Sequence, residues 1–510
     1  MKKIKIFFYL YFFYSFRKIR VKLSFKELNF RKLDFTNYNQ IKTYIFKKNF
    51  TNMDYKYVHN FDFLNFATKI GGAIGVNLSK EITFGWFKIY KSKIGYPWSG
   101  DMISKRLINL IYNYDFIEKS STKHDLYKLN KIIYHHLNIG LFFFNNKKIN
   151  EITSYDLIAN ALTNFLTKKM GTRVIFYYNL VVKNQTDFKG MHKSYNLIEH
   201  SKFINNLNEL KNIFLYFDYP FPDEINDQII KMKTVQNQYF HLDGSMPLFN
   251  GANNIFTKII YDSLNKDDFF KLRSFQDIKN GIALYADRKK KLFFDVVQPI
   301  NEEINNNLSA GTLSIELSCD GEKIITNCGA SDIFGKNPGY LRYSAAHSTV
   351  ILQNTNISEI KENNPHLNYP QSVTFENVSS DKGVIFEGSH NGYSKKFNKI
   401  IKRKIFIEKN NIKIIGEDSI IPTKVSKLKV VYHIRFHLVD GISFNFTNSK
   451  KNIILRSKNN NIWIFKSNEE LIIEDSILVD NNKTKSTKQI VIKGVIGNNK
   501  IIKKWSIEKI

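Results

Sequence analysis

Cysteine is almost absent from this chain of 510 residues, which has only Cys319 and Cys328. Two thiols exclude a disulfide-scaffolded fold and any cysteine-rich zinc or iron–sulfur site, so a metal site would need histidine and carboxylate ligands. After the first 20 residues, no stretch without charges is long enough for a transmembrane helix. P-loop, GxGxxG, HExxH and nucleophile-elbow motifs are also missing, which argues against the chemistries that they support.

Glycine, proline and alanine are sparse, whereas Phe, Tyr, Ile, Lys and Asn dominate the composition. With 43% apolar and 24% charged residues, the chain can form a large core and has room for two to four domains. The formal net charge of +30 fits an anionic partner such as nucleic acid, phospholipid or acidic polysaccharide. An A+T-rich genome would produce the same bias, so the charge alone does not identify a partner.

The first 20 residues carry basic flanks around an apolar run from Ile6 to Phe16. This run resembles a short signal sequence, but it is too short to span a bilayer and no small-residue cleavage site follows it. An amphipathic helix in peripheral contact with a membrane is the alternative. Export is left open, with the periplasm or cell envelope favoured over the cytoplasm.

Apolar residues recur every three or four positions from about Asp101 to Asp262, which predicts helices. Thr153 and Ser154 are expected to cap one of them. Beyond about Phe275, short alternating segments separated by Gly, Asn and Asp predict strands, and two stacked antiparallel sheets would bury them. Periodicity alone leaves a helical bundle, a solenoid and an α/α toroid open for the first half.

Several histidine, tyrosine and charged residues stand near turns, where a scaffold could hold them in a cleft. In the helical half, His192 and His200 are eight residues apart, about two turns if that segment is helical. On the predicted strand YHIRFHL, His433, Arg435 and His437 share one face. A single histidine is more often a hydrogen-bonded structural residue than a catalyst. The other candidates are Tyr195, His241, Asp243, Arg342, His347, His390 and Tyr393.

The order of the motifs HLDGSMPLFNGA, AGTLSIELSCDGEKIITNCGA, LRYSAAHSTVIL, SHNGY and IRFHL resembles the heparinase II/III-like family. The resemblance covers roughly residues 95 to 510. It implies an N-terminal α/α toroid, a C-terminal antiparallel β-sandwich and a cleft between them in which uronate-containing glycans are cleaved. The corresponding domains are an N-terminal segment with the first helices at residues 1–95, the toroid at 96–272 and the sandwich at 273–510.

The resemblance also assigns residues to the family's chemistry. The DGGHxERSPxYH-like stretch corresponds to KGMHKSYNLIEH, which keeps His192 and His200 but has Glu199 at the tyrosine position. The HxHxD segment corresponds to Asn307, Ser309 and Gly311, and the Asp before Pro-Gly to Asn327, so His347 alone remains from the zinc triad. One imidazole beside Ser and Asn is a poor zinc site, and we predict no metal and no cofactor.

Three functions follow as hypotheses. In the first, the protein is a polysaccharide lyase that acts by β-elimination on an acidic glycan. His200 or Tyr195 then serves as base or acid, His192 and Arg342 bind the uronate carboxylate, and His347 orients the substrate. The expected substrate contacts are His241, Asp243, Arg342, His390, Tyr393 and Arg435. In the second, the cleft binds the glycan without cleaving it. The third, nucleic-acid binding, has no recognisable module to support it.

Overall fold

The computed structural model describes most of the chain from residue 58 onward. The apolar run from Ile6 to Phe16, the expected domain boundary at 272 and 273, and Asn307 lie outside the described residues. The described ranges are 58–92, 96–98, 101–254, 274, 278, 281–300, 308–330, 339–361, 364–426, 428–480 and 483–510.

Helices occupy the first half, as the apolar periodicity predicts. The Thr153 hydroxyl accepts a hydrogen bond from the Asp156 N–H, and the Asp156 carboxylate accepts one from the Thr153 N–H, which forms the predicted cap. The helices are α1 Phe63–Ile70, α2 Gly72–Tyr90, α3 Met102–Tyr112, α4 Tyr114–Glu118, α5 Lys123–Asn146, α6 Ser154–Leu166, α7 Thr172–Gln185, α8 Leu197–Tyr216 and α9 Asp223–Gln238, with α10, Ser394–Phe397, among the strands. None of these described helices combines the length and hydropathy that a bilayer span requires.

Antiparallel strands occupy the second half. The first sheet has the order β1-β2-β3-β4-β12-β17-β16, with β5 also paired to β12, and the second has the order β13-β14-β15-β18-β11-β10-β9-β8. The strands are β1 Ile282–Ala286, β2 Lys290–Asp295, β3 Ile315–Cys319, β4 Glu322–Thr326, β5 Val350–Leu352, β6 Glu359–Lys361, β7 Asn364–Leu367, β8 Val373–Ser379, β9 Gly383–His390, β10 Lys399–Glu408, β11 Lys413–Pro422, β12 Val430–Leu438, β13 Ser443–Phe446, β14 Asn452–Arg456, β15 Ile462–Ser467, β16 Ile472–Asp480, β17 Lys483–Ile496 and β18 Ile501–Lys509.

The two large sheets share one apolar core, because their inward side chains interdigitate. Phe436 of β12 in the first sheet meets Trp505 and Phe465 of the second, with ring centroids 4.7 and 5.0 Å apart. Along β12, residues 430, 432, 434, 436 and 438 enter this core, as the period of two predicts. The predicted fold class, a helical region followed by an antiparallel β-sandwich, is confirmed.

The chain divides into two compact units that do not follow a single cut in the sequence. The first contains residues up to 184 and 205–226, and the second contains 185–204 and 227–510. The second unit therefore includes helical segments as well as the sheets. Every residue assigned above to a catalytic or substrate-binding role lies in this second unit.

A fully buried ion pair lies inside the sandwich, between neighbouring strands of the second sheet. Arg403 on β10 donates from Nε and Nη2 to the two carboxylate oxygens of Asp418 on β11, at 2.6 and 3.1 Å. Its Nη1 donates to the carbonyls of Leu313 and Ser348, and Asp418 also accepts from the indole N–H of Trp505. Because the charges and most of the donors are satisfied, the pair can remain inside an apolar core.

Breaking this pair leaves Asp418 as a buried charge without its partner. We expect Arg403→Met to lower the free energy of unfolding by about 3–5 kcal/mol in chemical denaturation. The double variant Arg403→Met/Asp418→Leu should recover most of that loss, since it removes both charges. Lys402→Met, which removes an exposed partner of Glu387, is the control and should cost less than about 1 kcal/mol. A double variant as unstable as the single one would contradict this account.

Candidate functional site

The face of the first sheet that turns away from the core is polar. Strand alternation makes the inner face apolar and the outer face polar. On β3, Ile315 and Leu317 enter the core, while Glu316 between them points to the other face. On β12, His433, Arg435 and His437 lie on this outer face for the same reason. The sequence prediction that these three share a face is thus confirmed by the strand register.

A buried carboxylate, Glu316, organises one end of this face. Its Oε2 accepts from His241 Nε2 at 2.9 Å and from Lys323 Nζ at 3.3 Å. Its Oε1 accepts from the Leu248 N–H at 3.0 Å, and from the Asn327 N–H and side-chain amide at 3.0 and 3.1 Å. Although burial opposes ionisation, Lys323 and His241 hold the pKa of Glu316 below its ordinary value.

His241 is therefore hydrogen-bonded to Glu316 and does not face solvent. The imidazole is buried, and burial together with Lys323 lowers its pKa to about 4, so neutral Nε2–H donates to the carboxylate. Asp243, the second expected substrate contact in this loop, is exposed and accepts from the N–H and hydroxyl of Ser245. The two residues therefore occupy different environments, although they are two positions apart.

A second centre, Asn250, connects the segment around Tyr195 with the segment that leads into β3. Its side-chain amide donates to the Tyr195 carbonyl at 3.2 Å, and its Oδ1 accepts from the Ser309 N–H at 3.0 Å. The Asn196 side chain returns a hydrogen bond to the Asn250 carbonyl. Tyr195 has a φ of +49°, a left-handed conformation that is uncommon for a bulky residue. Its buried ring lies against Gly281, where an added Cβ would be 3.2 Å from Cε1.

Arg342 and His347 lie beside this junction. The Arg342 guanidinium is half-buried and donates through Nε and Nη2 to the Leu308 carbonyl, at 3.2 and 2.8 Å. His347 packs against Gly311 so closely that a Cβ there would lie 2.2 Å from its Cδ2. Its Nδ1 donates to the Tyr343 carbonyl at 3.1 Å, which leaves the lone pair on Nε2. Burial lowers the pKa of His347 to about 4, so the ring is neutral at physiological pH.

His192 and His200 contact each other, but not as two positions on one helix. Helix α8 begins at Leu197, and His192 lies in the preceding turn, so the expected two-turn spacing is wrong. The His192 N–H donates to His200 Nδ1 at 3.1 Å, and His200 Nε2 donates to the Met232 carbonyl at 2.9 Å. Both nitrogens of His200 are therefore engaged, and burial lowers its pKa to about 3. Burial lowers the pKa of His192 to about 4, and its Nδ1 lies 2.8 Å from the Ser194 hydroxyl.

The remaining expected substrate contacts lie elsewhere in the second unit. His390 and Tyr393 are buried in the sandwich, where His390 Nδ1 accepts from the Gly392 N–H and the Tyr393 hydroxyl donates to the Thr355 carbonyl. Arg435 on the outer face donates from Nη1 to Glu474 at 2.7 Å. The structure thus groups Tyr195, Arg342 and His347 through shared hydrogen-bonded loops and separates His390 and Tyr393 from solvent.

The residues at the positions that the resemblance assigns to zinc do not suit that ion. Gly311 has no side chain, and the His347 ring fills the space of its Cβ. Asn327 accepts from the Ser348 N–H through Oδ1 and donates to Glu316 through its amide, so it offers no free ligand. Across the described ranges, no three His, Cys, Asp or Glu side chains are grouped as a metal site would require.

Comparisons with known proteins agree with this fold. Residues 271–505 match the family described as Heparinase II/III-like, C-terminal. The resemblance identified from the motifs is thereby confirmed over this part of the chain. No curated protein sequence matches the chain significantly.

Solved structures resemble most of the chain. A crystal structure of heparinase III superposes with a TM-score of 0.71 at 12% identity, over 98% of this chain and 89% of that one. A heparan sulfate lyase from Pedobacter heparinus has a TM-score of 0.62 at 13% identity, over 88% of this chain and 76% of that one. A xanthan lyase from Paenibacillus has a TM-score of 0.51 at 9% identity, over 86% and 51%. At such identities the likeness establishes the fold, which is that of polysaccharide lyases.

Sequence reasoning missed two residues that organise the site, Glu316 and Asn250. A signal for Glu316 was present, because TLSIELS places one carboxylate inside an otherwise apolar and small-residue strand. A buried carboxylate needs several donors, and these come from residues up to 75 positions away in sequence. For Asn250 no local pattern distinguishes it from the many other asparagines of this chain.

The Glu316 cluster predicts a pH-dependent loss of stability. We expect Glu316→Gln to lower the free energy of unfolding by about 3 kcal/mol at pH 7. The neutral amide cannot form the ion pair with Lys323, and its NH₂ group would face the N–H donors that now bind the carboxylate. The pKa of Glu316 is depressed, so its contribution disappears as the pH falls through that folded-state value, and the difference from wild type should narrow below about pH 4. Glu322→Gln on β4 is the matched control. An equal loss in both variants would contradict this role.

The buried histidines predict a second pH effect. The folded-state pKa values of His192, His200 and His347 lie at about 4, 3 and 4, whereas an unfolded histidine takes up its proton near pH 6.5. Stability should therefore fall on acidification from about pH 6.5 to 4, since only the unfolded chain binds those protons. We expect His200→Gln to reduce this loss by about 2 kcal/mol at pH 5, measured by denaturation at pH 7.5 and 5. The control His124→Gln, at an exposed position, should leave the loss of stability at pH 5 unchanged. The same dependence of stability on pH in His200→Gln and wild type would contradict the buried, neutral state of His200.

Proposed function

We propose that the protein is a polysaccharide lyase that cleaves an acidic, uronate-containing glycan by β-elimination. The observation that carries the proposal is the heparinase II/III-like match over residues 271–505 together with Arg342 and His347 in one short segment before β5. The structures to which the chain is similar include heparinase III, a heparan sulfate lyase and a xanthan lyase. The net charge of +30 suits such a partner.

β-Elimination removes the proton at C5 of the uronate and expels the oxygen at C4, which leaves a C4–C5 double bond. The reaction needs a group that neutralises the carboxylate, a base for the C5 proton and an acid for the leaving oxygen. Arg342, half-buried and anchored to the Leu308 carbonyl, is proposed to neutralise the carboxylate. His347 Nε2, with its lone pair fixed by the Nδ1–H bond to Tyr343, is proposed as the base.

Tyr195 is proposed as the acid. Burial, with Asp187 and Asp295 nearby, raises the pKa of its phenol well above the ordinary value, so the proton is held until the leaving oxygen accepts it. His192 is proposed to contact the substrate carboxylate. His200 has both nitrogens engaged and is proposed as a positioning residue, because it fixes the His192 backbone through a 3.1 Å hydrogen bond.

Binding of the glycan without cleavage is a second candidate. It is favoured by the burial of the imidazoles, since His192 is 8% exposed and His347 only 3%. A base that is nearly covered in the free protein needs a rearrangement before it reaches C5.

Cleavage is measured directly, because each elimination creates an unsaturated uronyl end that absorbs in the ultraviolet. We expect an absorbance gain with at least one of heparan sulfate, alginate, hyaluronan and xanthan. Arg342→Ala and His347→Ala should each reduce its rate by 10²-fold or more, as expected for loss of charge stabilisation or of the base. Exposed Arg456→Ala and His124→Ala are the matched controls and should act like wild type.

Two outcomes would contradict different parts of this proposal, one the lyase activity and the other the role of His347. Tight binding of one glycan with no absorbance gain would leave the binding function and exclude the lyase. An active enzyme in which His347→Ala keeps full turnover would retain the lyase and reject His347 as the base.

A further inference from the structure

The outer face of β12, β17 and β16 contains a patch of buried polar side chains that the reaction does not use. The cross-strand pairs His437↔Gln489, Glu474↔Gln489 and Ser476↔Thr487 place these side chains next to one another. Directly opposed residues of antiparallel strands have Cβ atoms about 4.5–5.5 Å apart. We call this set the β12–β17–β16 patch, and it consists of His433, Arg435, His437, Glu474, Ser476, Thr487 and Gln489.

Five atoms of the patch are buried and have no hydrogen-bond partner in the described part of the chain. They are His433 Nδ1, Arg435 Nε, His437 Nε2, Thr487 Oγ1 and Gln489 Oε1. Such atoms are rare in folded proteins, because each gives up its hydrogen bond to water without a replacement. Five of them on the paired strands β12 and β17 indicate a place that is completed by another molecule.

Neighbouring hydrogen bonds determine whether each of these atoms is a donor or an acceptor. The Gln489 amide donates from Nε2 to the Asp475 carbonyl at 3.0 Å, so its Oε1 is left as an acceptor. Arg435 donates from Nη1 to Glu474, so its Nε–H is left as a donor. His437 Nδ1 and the Ser476 hydroxyl are 2.7 Å apart and satisfy each other. The rim is open at Glu474 and Ser476, which are partly exposed.

The unpaired set mixes donors and acceptors and has little net charge. Arg435 is neutralised by Glu474 at 2.7 Å, so its charge is not left for a carboxylate or a sulfate, and exposed Lys493 lies opposite His433 at the edge of the patch. The Thr487 hydroxyl can donate or accept, Gln489 Oε1 accepts, and Arg435 Nε donates. Hydroxyl groups match this mixture, because each one both donates and accepts.

We propose that the β12–β17–β16 patch binds one sugar unit of the glycan through its hydroxyl groups. This inference rests on the proposed function for the identity of the ligand, a polysaccharide, and adds a subsite distinct from the carboxylate contact at Arg342. The side chains of Thr487 and Gln489 would form hydrogen bonds with the sugar hydroxyls, and Arg435 Nε would donate beside them.

The test uses substitutions that remove an unpaired polar atom and keep the shape of the side chain. Thr487→Val and Gln489→Leu are compared with wild type and with Thr484→Val, an exposed threonine on the same strand. Affinity is measured by calorimetry with heparan sulfate, alginate, hyaluronan and xanthan oligosaccharides, and the melting temperature is measured without glycan. For the glycan that wild type binds, a carboxyl-reduced form is included as a further probe.

We expect each variant to weaken binding about tenfold, the effect of one lost hydrogen bond, with a melting temperature equal to or above that of wild type. The same ratio is expected with the carboxyl-reduced glycan, since its hydroxyls remain. Unchanged affinity in both variants would overturn the patch, as would a lowered melting temperature in both, which would mean that these groups are structural. If wild type binds and cleaves while both variants match it, the patch fails and the lyase stands. If wild type neither binds nor cleaves any of the four glycans, the proposed function fails, and the patch fails with it.

Discussion

The arrangement of the outer face depends on one buried carboxylate. Glu316 lies on a strand whose other side chains enter the sandwich core, and its ionised form requires donors from outside that strand. The loop at His241 and Leu248 and the turn at Asn327 supply them. The carboxylate thus fixes a loop that follows helix α9 onto the sheet, and it determines where that loop can run.

From Glu316 the hydrogen bonds continue into the core. Asn327 accepts from the Ser348 N–H at 2.9 Å, and the Ser348 carbonyl accepts from Arg403 at 2.7 Å. Arg403 is paired in turn with Asp418. One network therefore links the polar face to the buried ion pair of the sandwich, so that groups in low-dielectric surroundings satisfy each other. His347 is attached to this network through the backbone, because it is the residue before Ser348.

The chemistry of the site follows from burial more than from the types of residue present. His200, which looks like a catalytic candidate in the sequence, is a neutral structural group whose two nitrogens both have backbone partners, and His241 donates from Nε2 to the Glu316 carboxylate. Histidines that retain a nitrogen with an available lone pair, such as His347, owe it to a backbone carbonyl that fixes the other nitrogen. A polysaccharide-lyase fold by itself does not decide between cleavage and binding, because function resides in the site.

The class of fold can be predicted from sequence patterns. Apolar spacing of three and four residues predicts the helices, alternation predicts the strands, and the order of motifs identifies the heparinase II/III-like domain; these patterns are local, so they can be read without coordinates. The sequence also placed His433, Arg435 and His437 on one face, because strand alternation is a local property. The folded structure was needed to see that His390 and Tyr393 are buried in the sandwich and that His192 precedes helix α8. It was also needed to see that Glu316 and Asn250 hold the loops together. Burial and hydrogen-bond partners arise between residues that are distant in the chain, and no pattern within one segment contains that information.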